Sequence, residues 1–140
     1  MPHTTDTTRL TADALVNEFL RVVMIPDPAA QRRFVAPDLH IRFTGGRLMR
    51  DPAETAAFNA SRYRWVKKRI EHTETMAAAT PDHTVVYSLG TLHGEWPDGT
   101  AFEGNRYVDR YVVSHGLITQ RDVWNDSADW MLVRAGLAAL

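Results

Sequence analysis

From about Val66 to Trp124 the apolar residues recur with a period of two, and this stretch constrains the fold more than any other. "VKKRIEHTETMAAA", "TVVYSLGTLHGEW", "FEGNRYVDRYVV" and "LITQRDVW" read as four strands. Pro81-Asp82, Pro97-Asp98-Gly99 and His115-Gly116 stand between them and supply turns. Strands joined this tightly run antiparallel, because a parallel pair needs a crossover of roughly a dozen residues.

The first part of the chain has a different rhythm. "TADALVNEFLRVVM" sets Leu15, Phe19, Val22 and Val23 on one helical stripe, with Thr11 as N-cap and Asp13 in the first turn. "IPDP" ends that helix, since proline cannot continue one. "AAQRRFV" reads as a second short helix ending near Pro37. "LHIRFTGG" alternates Leu39, Ile41 and Phe43 against His40, Arg42 and Thr44, a strand turned by Gly45-Gly46. "DPAETAAFNASRYRWV" opens a third helix with Asp51 as N-cap, Pro52 at the first helical position and Glu54 completing a capping box. "SADWMLVRAGL" is expected to form a last short helix capped by Ser127. Helices followed by a strand meander predict an α+β fold, with the helices on one side of a curved, mostly antiparallel sheet.

The 140 residues fit one domain spanning 1–140, with residues 1–8 expected as a flexible tail. Sixteen basic and seventeen acidic residues nearly cancel, so no strong field draws in nucleic acid or an anionic membrane. "RYRWVKKR" is basic with aromatics interleaved, but its charges straddle a helix end and a strand, and no nucleic-acid partner is expected. The absence of cysteine excludes disulfides, thiolate metal sites and cysteine nucleophiles. "MPHTTDTTRL" lacks the apolar core of a secretory signal and no run approaches the ~20 apolar residues of a membrane span, so a cytoplasmic protein is expected. No Gly-rich phosphate loop, nucleophile elbow or dinucleotide fingerprint is present, and no cofactor is expected.

The last hairpin carries the candidate chemistry. With His115-Gly116 as a two-residue turn, Ser114 pairs with Leu117 and an unbroken register sets Asp109 opposite Asp122. One face then holds Asn105, Tyr107, Asp109 and Tyr111 with Gln120, Asp122 and Trp124. Aromatic rings with a few polar groups are what a ligand pocket presents. Two carboxylates sharing a partly dry pocket cannot both ionise cheaply, which leaves a protonated acid beside an ionised base. Such a pair suits proton transfer on a carbonyl compound, or the closing or opening of a ring. In this reading Asp122 moves the proton and Asp109 tunes it or acts as second acid. Tyr107 and Asn105 hold the substrate oxygen, and Trp124 and Tyr111 form the apolar wall. The opposite face sets Arg110 against Arg121, a repulsion that requires counter-charges from Glu71 or from a second subunit.

His40, His72 and His93 lie on three different strands, and none has the close helical spacing of a zinc motif; no metal site is expected. His72 beside Glu74, and His93 near Tyr87, stand as further candidate bases, with His72 counted among the substrate-binding set.

The order of elements, together with "GNRYVDRYVVSHGLITQRDVWND", resembles the nuclear-transport-factor-2-like superfamily, the cone-shaped α+β fold of SnoaL-like polyketide cyclases, ketosteroid isomerases and limonene-epoxide hydrolases. Asn105-Arg106-Tyr107-Val108, Tyr111, Gly116-Leu117-Ile118 and Arg121-Asp122-Val123-Trp124-Asn125 are similar to a block of the phenazine-biosynthesis A/B proteins, and "YRWVKKRIE" resembles the aromatic-x-Trp opening of a strand in them. The resemblance places those proteins' acid/base glutamate on Asp122, one methylene shorter and with a one-residue gap before Arg121. Their pocket histidine has no counterpart in "ETAAFNASRYR", which argues against phenazine chemistry itself. What the resemblance implies is a cone of three N-terminal helices on a curved sheet, a homodimer through the outer sheet face, and a role in secondary metabolism. The expected function is a cofactor-independent acid/base enzyme, of cyclase, isomerase or condensation type, on a small cyclic or polyketide-like metabolite. The alternatives are epoxide-hydrolase-like water addition, with Asp109, Asp122 and an arginine such as Arg42 as its relay, and a non-catalytic small-molecule-binding protein.

Overall fold

The computed structural model describes residues 10–25 and 27–139. The tail of residues 1–8, His3 and the proline at position 26 lie outside the described residues. α1 (Ala12–Val23) forms where the stripe predicts it, and buries Leu15, Val16, Phe19, Leu20 and Val22. Asp27 then caps α2 (Pro28–Gln31) by accepting from the amides of Ala29 and Ala30. α2 is shorter than predicted: it tightens into a 3₁₀ turn at Arg32–Phe34, and β1 (Val35–Phe43) has already begun before Pro37. Pro37 falls where the pairing of β1 is interrupted between Val35 and His40, a position that needs no ladder N–H.

Gly45 and Gly46, at φ 73° and 78°, turn the chain from β1 into β2 (Arg47–Met49). α3 (Pro52–Arg62) starts with the predicted capping box, Asp51 reaching the Ala53 amide and Glu54 returning to the amide of Asp51. Four long strands follow: β3 (Trp65–Ala77), β4 (His83–Glu95), β5 (Ala101–Ser114) and β6 (Leu117–Asn125). His115 and Gly116, at φ 53° and 76°, form the tight turn between the last two. α4 (Ser127–Arg134) closes the fold. Ser127 is its first helical residue and not its cap; the buried Ser127 hydroxyl accepts from Tyr63 Oη at 2.6 Å and from Asn105 Nδ2 at 3.3 Å.

The strands make one sheet in the order β2-β1-β6-β5-β4-β3, antiparallel throughout except that β1 runs parallel to β6. Register shifts in β3–β4, β4–β5 and β5–β6 curve it, since an extra residue on one strand bends that strand. α1 lies on the concave side against β3 and β4. Phe19 is its anchor, edge-on to Phe34 and Tyr111 at 6.1 and 6.0 Å, and burial of such a ring stabilises by about 1.5–3 kcal/mol.

The edge strand β3 sits unusually close to β4. A Cβ on Gly90 would lie 2.0 Å from the Arg69 carbonyl oxygen, and one on Gly94 would lie 2.1 Å from that of Trp65. These glycines pair with Ile70 and Val66 and bracket Leu92, the partner of Lys68. Gly90→Ala is expected to destabilise the protein by about 1–3 kcal/mol, because the added methyl meets backbone and not a movable side chain. Guanidinium denaturation reads the loss, and an unchanged midpoint would show that β3 can lift away from β4 freely.

Candidate active site

The hairpin keeps its predicted register for only two pairs. Ser114 faces Leu117 and Val113 faces Ile118, but Val112 then faces Gln120, so Thr119 is an extra residue on β6. Its hydroxyl donates to the Val112 carbonyl at 3.2 Å. Beyond it the parity of β6 is reversed relative to the unbroken register. Tyr111 pairs with Arg121, Arg110 with Asp122, and Asp109 with Val123. The two carboxylates therefore do not face each other.

This overturns part of the candidate set and keeps part of it. On β5, Asn105, Tyr107, Asp109 and Tyr111 all point inward and are buried, as expected. On β6, Arg121 and Val123 take the inward places predicted for Gln120, Asp122 and Trp124. Asp122 lies on the convex side, accepting from Gln120 Nε2 at 2.9 Å and Arg110 Nη1 at 3.3 Å. The expected Arg110–Arg121 repulsion is thus replaced by an Arg110–Asp122 ion pair. Trp124 is 55% exposed on that outer side. His72 is exposed on β3, and His40 and Arg42 are exposed on β1, so neither a pocket base at His72 nor an Asp109–Arg42–Asp122 relay is assembled.

Asp109 is the centre of what the fold does assemble. Its Oδ2 accepts from Tyr111 Oη at 2.9 Å and lies 3.1 Å from Lys68 Nζ and 3.7 Å from Arg121 Nη2. Asp109 and Tyr111 are fully buried, and the side chains of Lys68 and Arg121 are 10% and 5% exposed. The Lys68 ammonium also rests 3.8 Å above the ring of Tyr107, whose hydroxyl shares a 2.9 Å hydrogen bond with Ser88. The Arg121 guanidinium is collared by the rings of Phe19, Tyr111 and Phe43 at 5.4 to 5.9 Å. Burial pulls the Lys68 ammonium below its usual pKa while Asp109 opposes that shift. Burial pushes the Tyr107 phenol up to about 12 and the Tyr111 phenol well above its usual range, so both remain neutral.

Lys68 and Arg121 form part of the wall of a cavity of about 260 Å³ between α1, α3 and the sheet. Val23, Met24, Phe43 and Val66 give it apolar sides, and Thr55, Asn59 and Asn125 add neutral polar groups. Asp109 does not line it; the carboxylate stands behind the two cations. Asn105 and Tyr111 also lie outside the lining, engaged by Ser127 and Asp109 respectively. Sequence reasoning missed Lys68 because "VKKRI" carries cations on both faces of an edge strand, so period two gives no contrast. The signal for Arg121 was present: its repulsion with Arg110 in an unbroken register is what the extra residue removes.

No protein-family model and no curated protein matches the chain. Solved structures do. An NTF2-like protein from Burkholderia thailandensis superposes with a TM-score of 0.65 at 19% identity, over 89% of this chain and 95% of that one. A protein provisionally assigned as a polyketide cyclase from Pseudomonas putida gives 0.62 at 17% identity, over 86% and 96%. One provisionally assigned as a ketosteroid isomerase from Shewanella frigidimarina gives 0.62 at 16% identity, over 81% and 95%. The chain therefore has the nuclear-transport-factor-2-like cone fold. No described helix is long and apolar enough to cross a membrane.

Both aspartates are buried, at 0% and 8% exposed, and they differ in the partners they neutralise, a difference that is directly measurable. Asp109→Ala leaves two cations buried without a counter-charge and is expected to cost about 3–5 kcal/mol. Asp122→Ala is expected to cost about 1–2 kcal/mol, because Arg110 opens onto water. Urea denaturation compares them, and equal losses would contradict the placement of the two groups.

Proposed function

We propose that this protein is a cofactor-independent acid/base enzyme, of isomerase, cyclase or condensation type, acting on a small, mostly apolar metabolite with an enolisable carbonyl. The observation that carries this reading is the Lys68–Asp109–Arg121 cluster at the wall of the cavity. In this scheme Lys68 is the group that moves the proton, a role the sequence reading had given to Asp122. The neutral amine takes a proton from the carbon beside the carbonyl and returns it elsewhere on the substrate. Asp109 is the positioning residue: it lies ready to stabilise the ammonium that forms. Arg121 faces the carbonyl oxygen and stabilises the negative charge of the enolate in a site of low dielectric. Thr55, Asn59 and Asn125 orient the remaining polar groups of the substrate. The provisional polyketide-cyclase and ketosteroid-isomerase assignments of two similar structures support this class of chemistry.

A second reading rests on a specific observation. Asp109 is partnered by two cations, which is what a non-catalytic binding protein needs for a stable polar floor. The two readings part in heavy water. Mass spectrometry of cyclic and unsaturated ketones incubated with the protein is expected to show deuterium entering beside the carbonyl faster than in buffer. Lys68→Met is expected to lower that rate by about 100-fold or more. The rate is expected to rise with pH, because the unprotonated amine is the working form. It levels off below pH 10.5, the usual lysine value, because burial lowers the pKa of Lys68. Exchange that survives in Lys68→Met, or that falls as pH rises, would remove the proposed role. No exchange with any ketone would leave the binding protein as the better reading.

A further inference from the structure

The charges around the cavity do not balance. Four cationic residues line it, Arg64, Lys67, Lys68 and Arg121, and no carboxylate does; Arg64 and Lys67 are exposed and Arg64 pairs with Glu95 at 3.7 Å, so the unmatched charge is at the buried end. This contrasts with the chain as a whole, whose formal net charge is −1. At the buried end the imbalance persists: the two cations Lys68 and Arg121 share the single carboxylate Asp109. Tyr107 and Tyr111, held neutral by burial, add nothing to the negative side. A buried excess of one positive charge is costly, and it is relieved either when Lys68 gives up its proton, the form the proposed reaction uses, or when an anion arrives to hold Lys68 protonated.

Arg121 also has donors to spare. Its side chain is 5% exposed and its Nε is buried with no hydrogen-bond partner. One Nη lies 3.7 Å from Asp109, too long for a full hydrogen bond. A guanidinium presents its donors as a planar fork that matches a planar, delocalised oxyanion.

We infer that the cavity takes a ligand whose apolar body ends in a planar oxyanion, a carboxylate or an ionised enol, seated against Arg121 and Lys68. With that group in place, two cations alternate with two anions and the buried cluster is neutral. The apolar body then lies along Val23, Met24, Phe43 and Val66. This rests on the cavity being the substrate site, and not on Lys68 moving a proton. In the proposed reaction the same electrostatics favour a substrate that is already acidic, and they hold the enolate once formed.

The test is calorimetric titration of the full chain with 2-naphthoate and with 2-naphthamide, which share shape and differ in charge. Naphthoate is expected to bind at least tenfold more tightly. Lys68→Met, which keeps Asp109 paired to Arg121, is expected to weaken naphthoate several-fold and leave the amide unchanged. Asp109→Asn removes the resident negative charge and is expected to tighten naphthoate, the opposite of what loss of a merely structural residue would do. Amide binding as tight as naphthoate, no binding of either at millimolar concentration, or a preference for the acid that survives unchanged in Lys68→Met and Asp109→Asn would overturn the inference. Acid preference without ketone exchange would sink the catalytic reading alone; ketone exchange without acid preference would sink this one alone.

Discussion

A single extra residue on β6 decides which side of the sheet each charge of the last strand occupies. Side chains in a strand alternate strictly, so one unpaired residue reverses every position beyond it. Without Thr119, Arg121 would stand on the convex face beside Arg110, and Asp122 would join Asp109 inside. With it, both faces exchange a like-charge contact for an opposite-charge one: Arg110 with Asp122 outside, Asp109 with Arg121 inside. The bulge is locally satisfied, since the Thr119 hydroxyl reaches the carbonyl of Val112 across the ladder. The cost of an interrupted ladder is set against two like-charge contacts, one of which would be buried.

Much of the fold was legible because its signals are local. The capping box at Asp51, the stripe on α1 and the His115-Gly116 turn each depend on a few neighbouring residues, and each forms as read. The inward face of β5 was legible for the same reason: from Asn105 to Tyr111 nothing breaks the alternation. The bulge was not legible, because threonine is an ordinary strand residue and carries no mark of being unpaired. The resemblance could not correct this. It gave a role to a position by its neighbourhood in a motif, and Asp122 is adjacent in sequence to Arg121 yet on the opposite side of the sheet. The electrostatic objection to an Arg110–Arg121 pair was a better guide than the motif. It pointed to a missing counter-charge, and that charge was Asp122 itself.

The placement of Lys68 follows from backbone more than from side-chain packing. β3 is an edge strand, held by β4 alone and by α1 and α3 from the concave side. Gly90 and Gly94 let it approach closer than any side chain would permit, on either side of the Lys68–Leu92 pair. That approach brings the ammonium to 3.1 Å from Asp109, a residue two strands away. The pairing of a cation on the outermost strand with a carboxylate on β5 is thus a consequence of small residues on the strand between them.

Asp109 standing behind the cations changes what the carboxylate can do. A carboxylate open to a cavity accepts a proton from the ligand and is itself the base. One screened by Lys68 and Arg121, as Asp109 is, acts through them in the proposed scheme, by setting the basicity of the amine and fixing the guanidinium. The fold is compatible with either arrangement, since the inward positions of the same strands hold the groups in both cases. In this chain the order of charges along the line from core to cavity is carboxylate first and cations second. That order sets cations where a pair of acids was expected, and under the inference we draw it is the sign of the ligand's own charge that the site reads.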